Sequence, residues 1–307
     1  MLARSGNDAR AHGEVNVVGR STRSLAGICR KRKGDAIMYT NTVRIHRVLR
    51  ATGIAVFLLF CREAPAQAYS VEIPRHLAIA RELVERIKPE DNRYALGKEF
   101  ISVPGDGPDA KYAMTADCSG FLLAIFERAG YRTRQEMAFL KTSPKRKRPA
   151  AEDFVFSIEQ EKGFRHIRKV GDMKPGDLLA HAMLNIQDQK RTGTTGHVFL
   201  VNSEPRPVSG RMPLVSGTQQ FEISVIDANE EHVGTDDTRL ANPWKRVTGL
   251  GKGTIRIYVD DNGEVIGWAR TFGNTDRFFS YSSRFPSDTK QRKSAIGRPK
   301  GAEASRG

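Results

Sequence analysis

The chain has 307 residues, 50 Lys and Arg against 35 Asp and Glu, a formal charge of +15, and three cysteines. Its 39% hydrophobic and 28% charged content is that of an ordinary globular protein, which excludes wholesale disorder and a collagen-like repeat. It lacks the run of about 18 consecutive apolar residues of a polytopic membrane protein, and three cysteines are too few for a disulfide-dense scaffold.

The positive charge sits at the ends. Residues 1–68 hold 12 basic and 4 acidic residues. Within them, Arg44, Arg47 and Arg50 precede the apolar run Ala51–Cys61, and Glu63-Ala-Pro-Ala-Gln-Ala68 follows with small residues at Ala66 and Ala68. A basic region, a short apolar region and an A-x-A site read as a secretory signal peptide over residues 38–68. At about 11 residues the apolar run is too short to span a bilayer, so no stable span is expected after cleavage near Ala68. The product is then periplasmic or extracellular. Residues 1–37 are polar, basic and aperiodic, and Met38 is a conventional start, so this stretch reads as a non-native or disordered extension. Phe60 stands where a lipidated cysteine would have a small residue before it, so Cys61 does not mark a lipoprotein.

Residues 69–283 are long enough for a single domain with an ample core. Pro74 opens a helical pattern with Leu77, Ala80, Leu83, Val84 and Ile87 on one face, and Pro89 closes it. The stretch Ser102–Asp109 is loop chemistry. Ser119–Ala129 is apolar nearly all round, which predicts a buried helix capped by Gly130. The run Lys145-Arg-Lys-Arg148 between prolines reads as an exposed basic loop. Strand-like segments then follow: 175–180 from a turn, 197–202 after a Gly/Thr loop, 221–228 by alternation, and 254–259 with 264–272 flanking Asp-Asn-Gly, a hairpin signal. Helices first and strands afterwards predict an α+β fold with an antiparallel sheet. Residues 284–307, with 7 basic and 2 acidic residues and no apolar periodicity, read as a basic disordered tail. What lies between the ends holds 31 basic and 29 acidic groups, so charge gives no case for specific nucleic-acid binding, and a monomer is expected.

Cleavage after Ala68 leaves Cys118 as the only thiol, at the start of the buried helix. Unpaired N–H groups and the helix dipole stabilise an anion there and favour a nucleophilic thiolate over an inert buried cysteine. A thiolate needs a base and a group to orient it. His166, His181, His197 and His232 all follow Cys118. His197 opens a strand after a Gly/Thr loop and shares a face with Phe199 and Val201. Asp227 shares a face with Phe221, Ile223 and Val225, so the two could meet if their strands are neighbours. Spacing alone leaves a structural histidine open for His197.

Asp117-Cys-Ser-Gly-Phe121 at a helix start, Lys174-Pro-Gly-Asp-Leu-Leu179 and Gly196-His-Val-Phe-Leu-Val201, in that order over roughly residues 110–230, resemble the NlpC/P60 family of cysteine peptidases. The resemblance implies a papain-like α+β fold, with the nucleophile at a helix start packed on an antiparallel sheet, and exported hydrolysis of peptidoglycan stem peptides. By motif position Cys118 would be the nucleophile, His197 the general base and Asp227 the third polar residue, with His232 a rival orienter. Asp117 and Ser119 match positions that hold the free amine of the stem peptide. The family's upstream Tyr-x-x-Gly-Gly segment is absent in this reading; Tyr112 and the Gly-Pro loop stand in its place as substrate-binding elements. Residues 203–220 are an insertion between the two strands, and Asp237 and Arg239 would line the cleft. No cofactor or metal is expected. Other readings are a cell-wall binding module with a degenerate site, an acyl transferase or amidase on another substrate, and an anionic-polymer binder using Lys145–Arg148 and the tail.

Overall fold

The computed structural model describes residues 73–131, 133–137, 147–241, 247–273, 278–280 and 292–301. They belong to one compact unit, Ala68–Gly307. The expected extension at 1–37 and signal segment at 38–68 lie outside the described residues.

Helix α1 (Arg75–Arg86) follows Pro74 and buries Leu77, Ala80 and Leu83, three positions on one helical face. A small sheet comes next, in which β1 (Asn92–Tyr94) pairs parallel, and β2 (Glu99–Ser102) antiparallel, with β3 (Ala113–Ala116). Then α2 (Cys118–Arg128) buries Phe121, Leu122, Leu123, Ile125 and Phe126. Each such side chain contributes about 1.5–3 kcal/mol of transfer free energy, so this short helix anchors the domain. Gly130 ends it with φ +85°, a conformation glycine adopts without a Cβ penalty. The short α3 (Thr133–Met137) and α4 (Ala151–Glu159) complete the helical layer.

The large sheet is built from β4 (Phe164–Ile167), β5 (Leu178–Met183), β6 (Gly196–Val201), β8 (Gln219–Asn229), β9 (Gly249–Val259), β10 (Val265–Arg270), β11 (Phe278–Ser280) and β12 (Arg292–Pro299), with β7 (Arg206–Val208) on β8. Helix α5 (Ile186–Thr192) lies between β5 and β6 in the chain. The order is β11-β10-β9-β8-β6-β5-β12-β4, with every pairing antiparallel. The fold is α+β with a large antiparallel sheet, as the element pattern predicts. In β5, β6 and β8 alternate residues serve alternate faces. Leu178, Ala180, Val198, Leu200 and Ile226 join the helical cluster, whereas Leu179, Phe199, Val201, Ile223 and Val225 join a second one. That second cluster takes Ile167 from β4 and Trp268 from β10, so the sheet curls until strands far apart in its order share one core.

One boundary is corrected. Within the expected tail, Arg292–Pro299 are not free, because they form β12, paired on both edges with β4 and β5. Ala295 and Ile296 are buried, and Arg298 donates two hydrogen bonds, 2.7 and 2.9 Å, to Asp177 in the Lys-Pro-Gly-Asp turn before β5. The catalytic-type residues thus sit in a domain that extends well past residue 283.

Candidate active site

The chain turns from β3 into α2 through Asp117, whose extended backbone and side chain cap the helix. Oδ1 accepts hydrogen bonds from the Gly120 N–H at 2.8 Å and the Ser119 hydroxyl at 3.0 Å; Oδ2 accepts one from the Gly97 N–H at 2.8 Å. Gly120 is required by packing, because a Cβ there would stand 2.1 Å from the Lys98 carbonyl oxygen. The helix start is therefore pressed against the loop after Tyr94. Cys118 is the first helical residue, a free thiol only 7% exposed. It occupies the turn whose backbone N–H groups lack helical partners.

His197 lies on β6 with its side chain 14% exposed. Its Nε2 lies 2.8 Å from Asp227 Oδ2, and the Cys118 sulfur is near enough to the ring to act on it electrostatically. With Nε2 engaged by the carboxylate, Nδ1 is left for the sulfur. Strands β6 and β8 are neighbours, with Leu200 opposite Ile226, which brings the histidine and aspartate together. Phe199 packs edge-on against the ring at 4.5 Å and restricts its rotation. Burial pulls the His197 pKa down, but the Cys118 sulfur and the Asp227 carboxylate outweigh it and raise the pKa to about 10. The imidazole is therefore protonated at neutral pH, so Nε2–H donates to Asp227.

Asp227 is 1% exposed. Burial pushes its pKa up, yet Arg239 first and His197 second hold the carboxyl below the usual range. Arg239 Nη2 donates to Asp227 Oδ1 at 2.9 Å, and Asn229 Nδ2 donates to Oδ2 at 3.3 Å. Arg239 is itself clamped by Asp237, through Nε at 2.9 Å and Nη2 at 2.6 Å, and donates to the Gly249 carbonyl at 2.9 Å. The result is one buried chain of polar groups, His197–Asp227–Arg239–Asp237, with the Cys118 thiol at its open end. Asp237 and Arg239 do not line the cleft; they brace the triad-like group from behind. The glycine run at 249–253 makes room for the guanidinium, since a Cβ on Gly251 would lie 2.3 Å from Arg239 Nε.

Two cavities meet at the thiol–imidazole pair. One, of about 550 Å³, is lined by Cys118, Asp117, Ser119 and Arg148 but not His197. The other, of about 250 Å³, is lined by His197, His181, Trp268 and Phe279 but not Cys118. Tyr94, Leu96, Gly193, Thr194 and Gly196 border both. Tyr94 was not singled out by its sequence context. Its phenol pKa is raised, by burial first and then by Cys118 and Asp117, so it stays a neutral donor beside the thiol.

The structure corrects three expectations here. Tyr112 lines neither cavity; its hydroxyl donates to Glu82 at 2.6 Å, and Tyr94-Ala-Leu-Gly97 borders the site instead. The backbone of Gly97, within that segment, is bound to Asp117, which is why it and not the later Gly-Pro loop reaches the cysteine. His232 does not orient His197, because its Nε2 donates to the Val247 carbonyl at 3.1 Å. Arg148, read as part of an exposed loop, is half-buried and paired with Asp117 and Ser119. Those two residues line the larger cavity but are already engaged by that arginine. Lys145 and Arg146 lie outside the described residues. Among the described residues no cluster of three or more His, Cys, Asp or Glu is placed to hold a metal ion, and no helix is long and apolar enough to cross a membrane.

No protein-family model matches the chain, and no solved structure matches it. It is similar to the uncharacterized protein R653 of Acanthamoeba polyphaga mimivirus, 28% identical over 172 residues that cover 54% of this chain and 73% of the viral one.

Proposed function

We propose that this chain is an exported thiol hydrolase of the NlpC/P60 type, with a papain-like catalytic arrangement, that cleaves an amide bond in peptidoglycan stem peptide. The observation that carries the reading is His197, held by Asp227 at 2.8 Å and lying within electrostatic reach of the Cys118 sulfur at the start of α2. Support for the substrate comes from the Asp-Cys-Ser-Gly, Lys-Pro-Gly-Asp and Gly-His-Val motifs, and for export from the basic, apolar and small-residue order of residues 38–68.

The Cys118 thiolate attacks the amide carbonyl carbon, forming the C–S bond and placing negative charge on oxygen. The N–H groups of the first turn of α2, with the neutral Tyr94 phenol beside them, receive that oxyanion. The protonated His197 gives its Nδ1 proton to the leaving nitrogen as the C–N bond breaks, and an acyl thioester remains on Cys118. Neutral His197 then takes a proton from water. The resulting hydroxide attacks the thioester, the C–S bond breaks, and the thiolate–imidazolium pair is restored with release of the acid. Asp227 stays ionised throughout and fixes the ring. Arg239 keeps it ionised.

Incubation of residues 69–307 and of the Cys118→Ala variant with purified peptidoglycan tests the reading. Soluble peptide fragments from the first and none from the second are expected. No fragments from either, together with no labelling of Cys118 by a thiol-reactive electrophile, would reduce the protein to a binding module.

A further inference from the structure

The chemistry above leaves one ion pair of the cleft unused. Because His197 protonates the leaving nitrogen, the leaving group lies on the His197 side, in the smaller cavity. The acyl group then occupies the 550 Å³ chamber that Cys118 lines. A carboxylate beside the reacting carbon, Asp117, would ordinarily draw a substrate ammonium into that chamber. Here it has no capacity left. Its two oxygens accept from Gly120 N, Ser119 Oγ, Gly97 N and Arg148 Nη2, which fills the roughly four acceptor positions of a carboxylate. Arg148 Nη1 also donates to the Ser119 hydroxyl at 2.9 Å, and the pair is buried, with side chains 15% and 10% exposed.

The second acid of the chamber is also paired with an arginine. Both oxygens of Glu99 accept from Arg134, each at 3.0 Å. Lys147 stands exposed at the rim. Each carboxylate of the chamber is therefore already paired with an arginine, and Lys147 adds a further cation. An ammonium entering it would lose water and find no unpaired carboxylate, whereas a neutral group avoids that cost and an anionic one meets Arg148 and Lys147 as counter-charges.

We infer that Arg148 is the specificity-determining residue of the acyl side: it fills from within the place of a substrate ammonium, so the site takes amides whose acyl residue is N-acylated, internal to a chain or anionic, and refuses one bearing a free α-ammonium. The inference rests on the thiol-hydrolase reading of this site.

Alkylation of Cys118, followed by mass spectrometry, tests it without knowledge of the natural substrate. The probes are iodoacetate, iodoacetamide and 2-bromoethylamine, each rate divided by that of free cysteine. Iodoacetate is expected to be fastest and bromoethylamine slowest. His197 favours the anion as well, so the decisive comparison is Arg148→Met, in which the iodoacetate-to-bromoethylamine ratio falls about tenfold, the scale of one unit charge at this range. Arg148→Lys keeps the ratio within about twofold. An unchanged ratio in Arg148→Met, with Cys118 still reactive, overturns the inference and leaves the hydrolase reading standing. Should Arg148→Met fail to fold, N-acetyl-alanyl and alanyl chloromethyl ketones on the unaltered protein decide instead. The acetylated reagent reacts at least about tenfold faster, and equal or reversed rates refute the assignment. Cys118 no more reactive than free cysteine toward every probe would remove the hydrolase reading itself, and this inference with it.

Discussion

Arg239→Met removes the charge that keeps Asp227 ionised while leaving the size of the side chain nearly unchanged. Arg239 is 3% exposed and donates to Asp227, Asp237 and the Gly249 carbonyl at 2.6–2.9 Å. Without it, two buried carboxylates lose their shared counter-ion. Breaking a buried pair by deleting one partner costs about 3–5 kcal/mol, a large part of the about 5–15 kcal/mol that holds a domain together. Urea unfolding at pH 7 is expected to show that loss. The pH dependence identifies the group responsible. In the unaltered protein the Asp227 pKa is depressed, so its contribution is present above the ordinary carboxylate pKa and is lost as pH falls through the depressed one. In the variant, burial acts against His197 alone and the pKa rises, so protonation on acidification relieves the cost. The stability gap therefore narrows from pH 7 toward pH 4. Adding Asp237→Asn removes one of the stranded charges and should recover about 1–3 kcal/mol. A loss below about 1 kcal/mol, or a gap that does not narrow with acid, would refute the argument that Arg239 acts through charge.

His197 gives a prediction of opposite sign. Its pKa is raised to about 10, so its contribution to stability is complete below about 6.5 and is lost as pH rises through about 10. Hydrolysis should fail over the same upper range, and His197→Ala should lack that alkaline slope in urea titrations. Gly120→Ala forces a Cβ to 2.1 Å from the Lys98 carbonyl oxygen and should cost about 1–3 kcal/mol, with slower labelling of Cys118; an unchanged urea midpoint would contradict the packing described. Tyr94→Phe should lower kcat about 10²-fold at little change in KM if its phenol serves the oxyanion. Tyr112→Phe, which loses only an exposed bond to Glu82, should stay within about 0.5 kcal/mol and keep full activity.

The helix carrying Cys118 and the strands carrying His197 and Asp227 are legible in the sequence because burial imposes period on them. An all-apolar helix and alternating strands leave their pattern whatever the partner. Arg148 and Arg239 leave none. Each is defined by an acid 31 or 12 positions away in the chain, and a guanidinium bonded inside a fold has the same letter as one in water. Tyr94 is passed over for Tyr112, which stands nearer to Cys118 in sequence, although the Gly97 backbone bond to Asp117 brings the earlier segment to the site. Strand β12 escapes for a different reason. Arg292-Lys-Ser-Ala-Ile-Gly-Arg-Pro299 has only Ala295 and Ile296 as apolar core residues; its place is held by backbone pairing on two edges and by the ion pairs Arg298–Asp177 and Lys293–Glu159. Backbone pairing has no side-chain signature.

That strand bears on how the protein comes into being. β5 and β4 flank a slot that residues 292–299 fill, and about 125 residues separate Ile167 from Arg292. At a synthesis rate of about 5–20 residues per second, the slot stays open for roughly 6–25 s after β4 has been made. During that interval two strand edges offer unpaired N–H and C=O groups, the kind of template that neighbouring chains can join. The sheet closes late, around its last strand. A polypeptide stopped short of residue 292 would leave the facing edges of β4 and β5 without the strand that pairs them here.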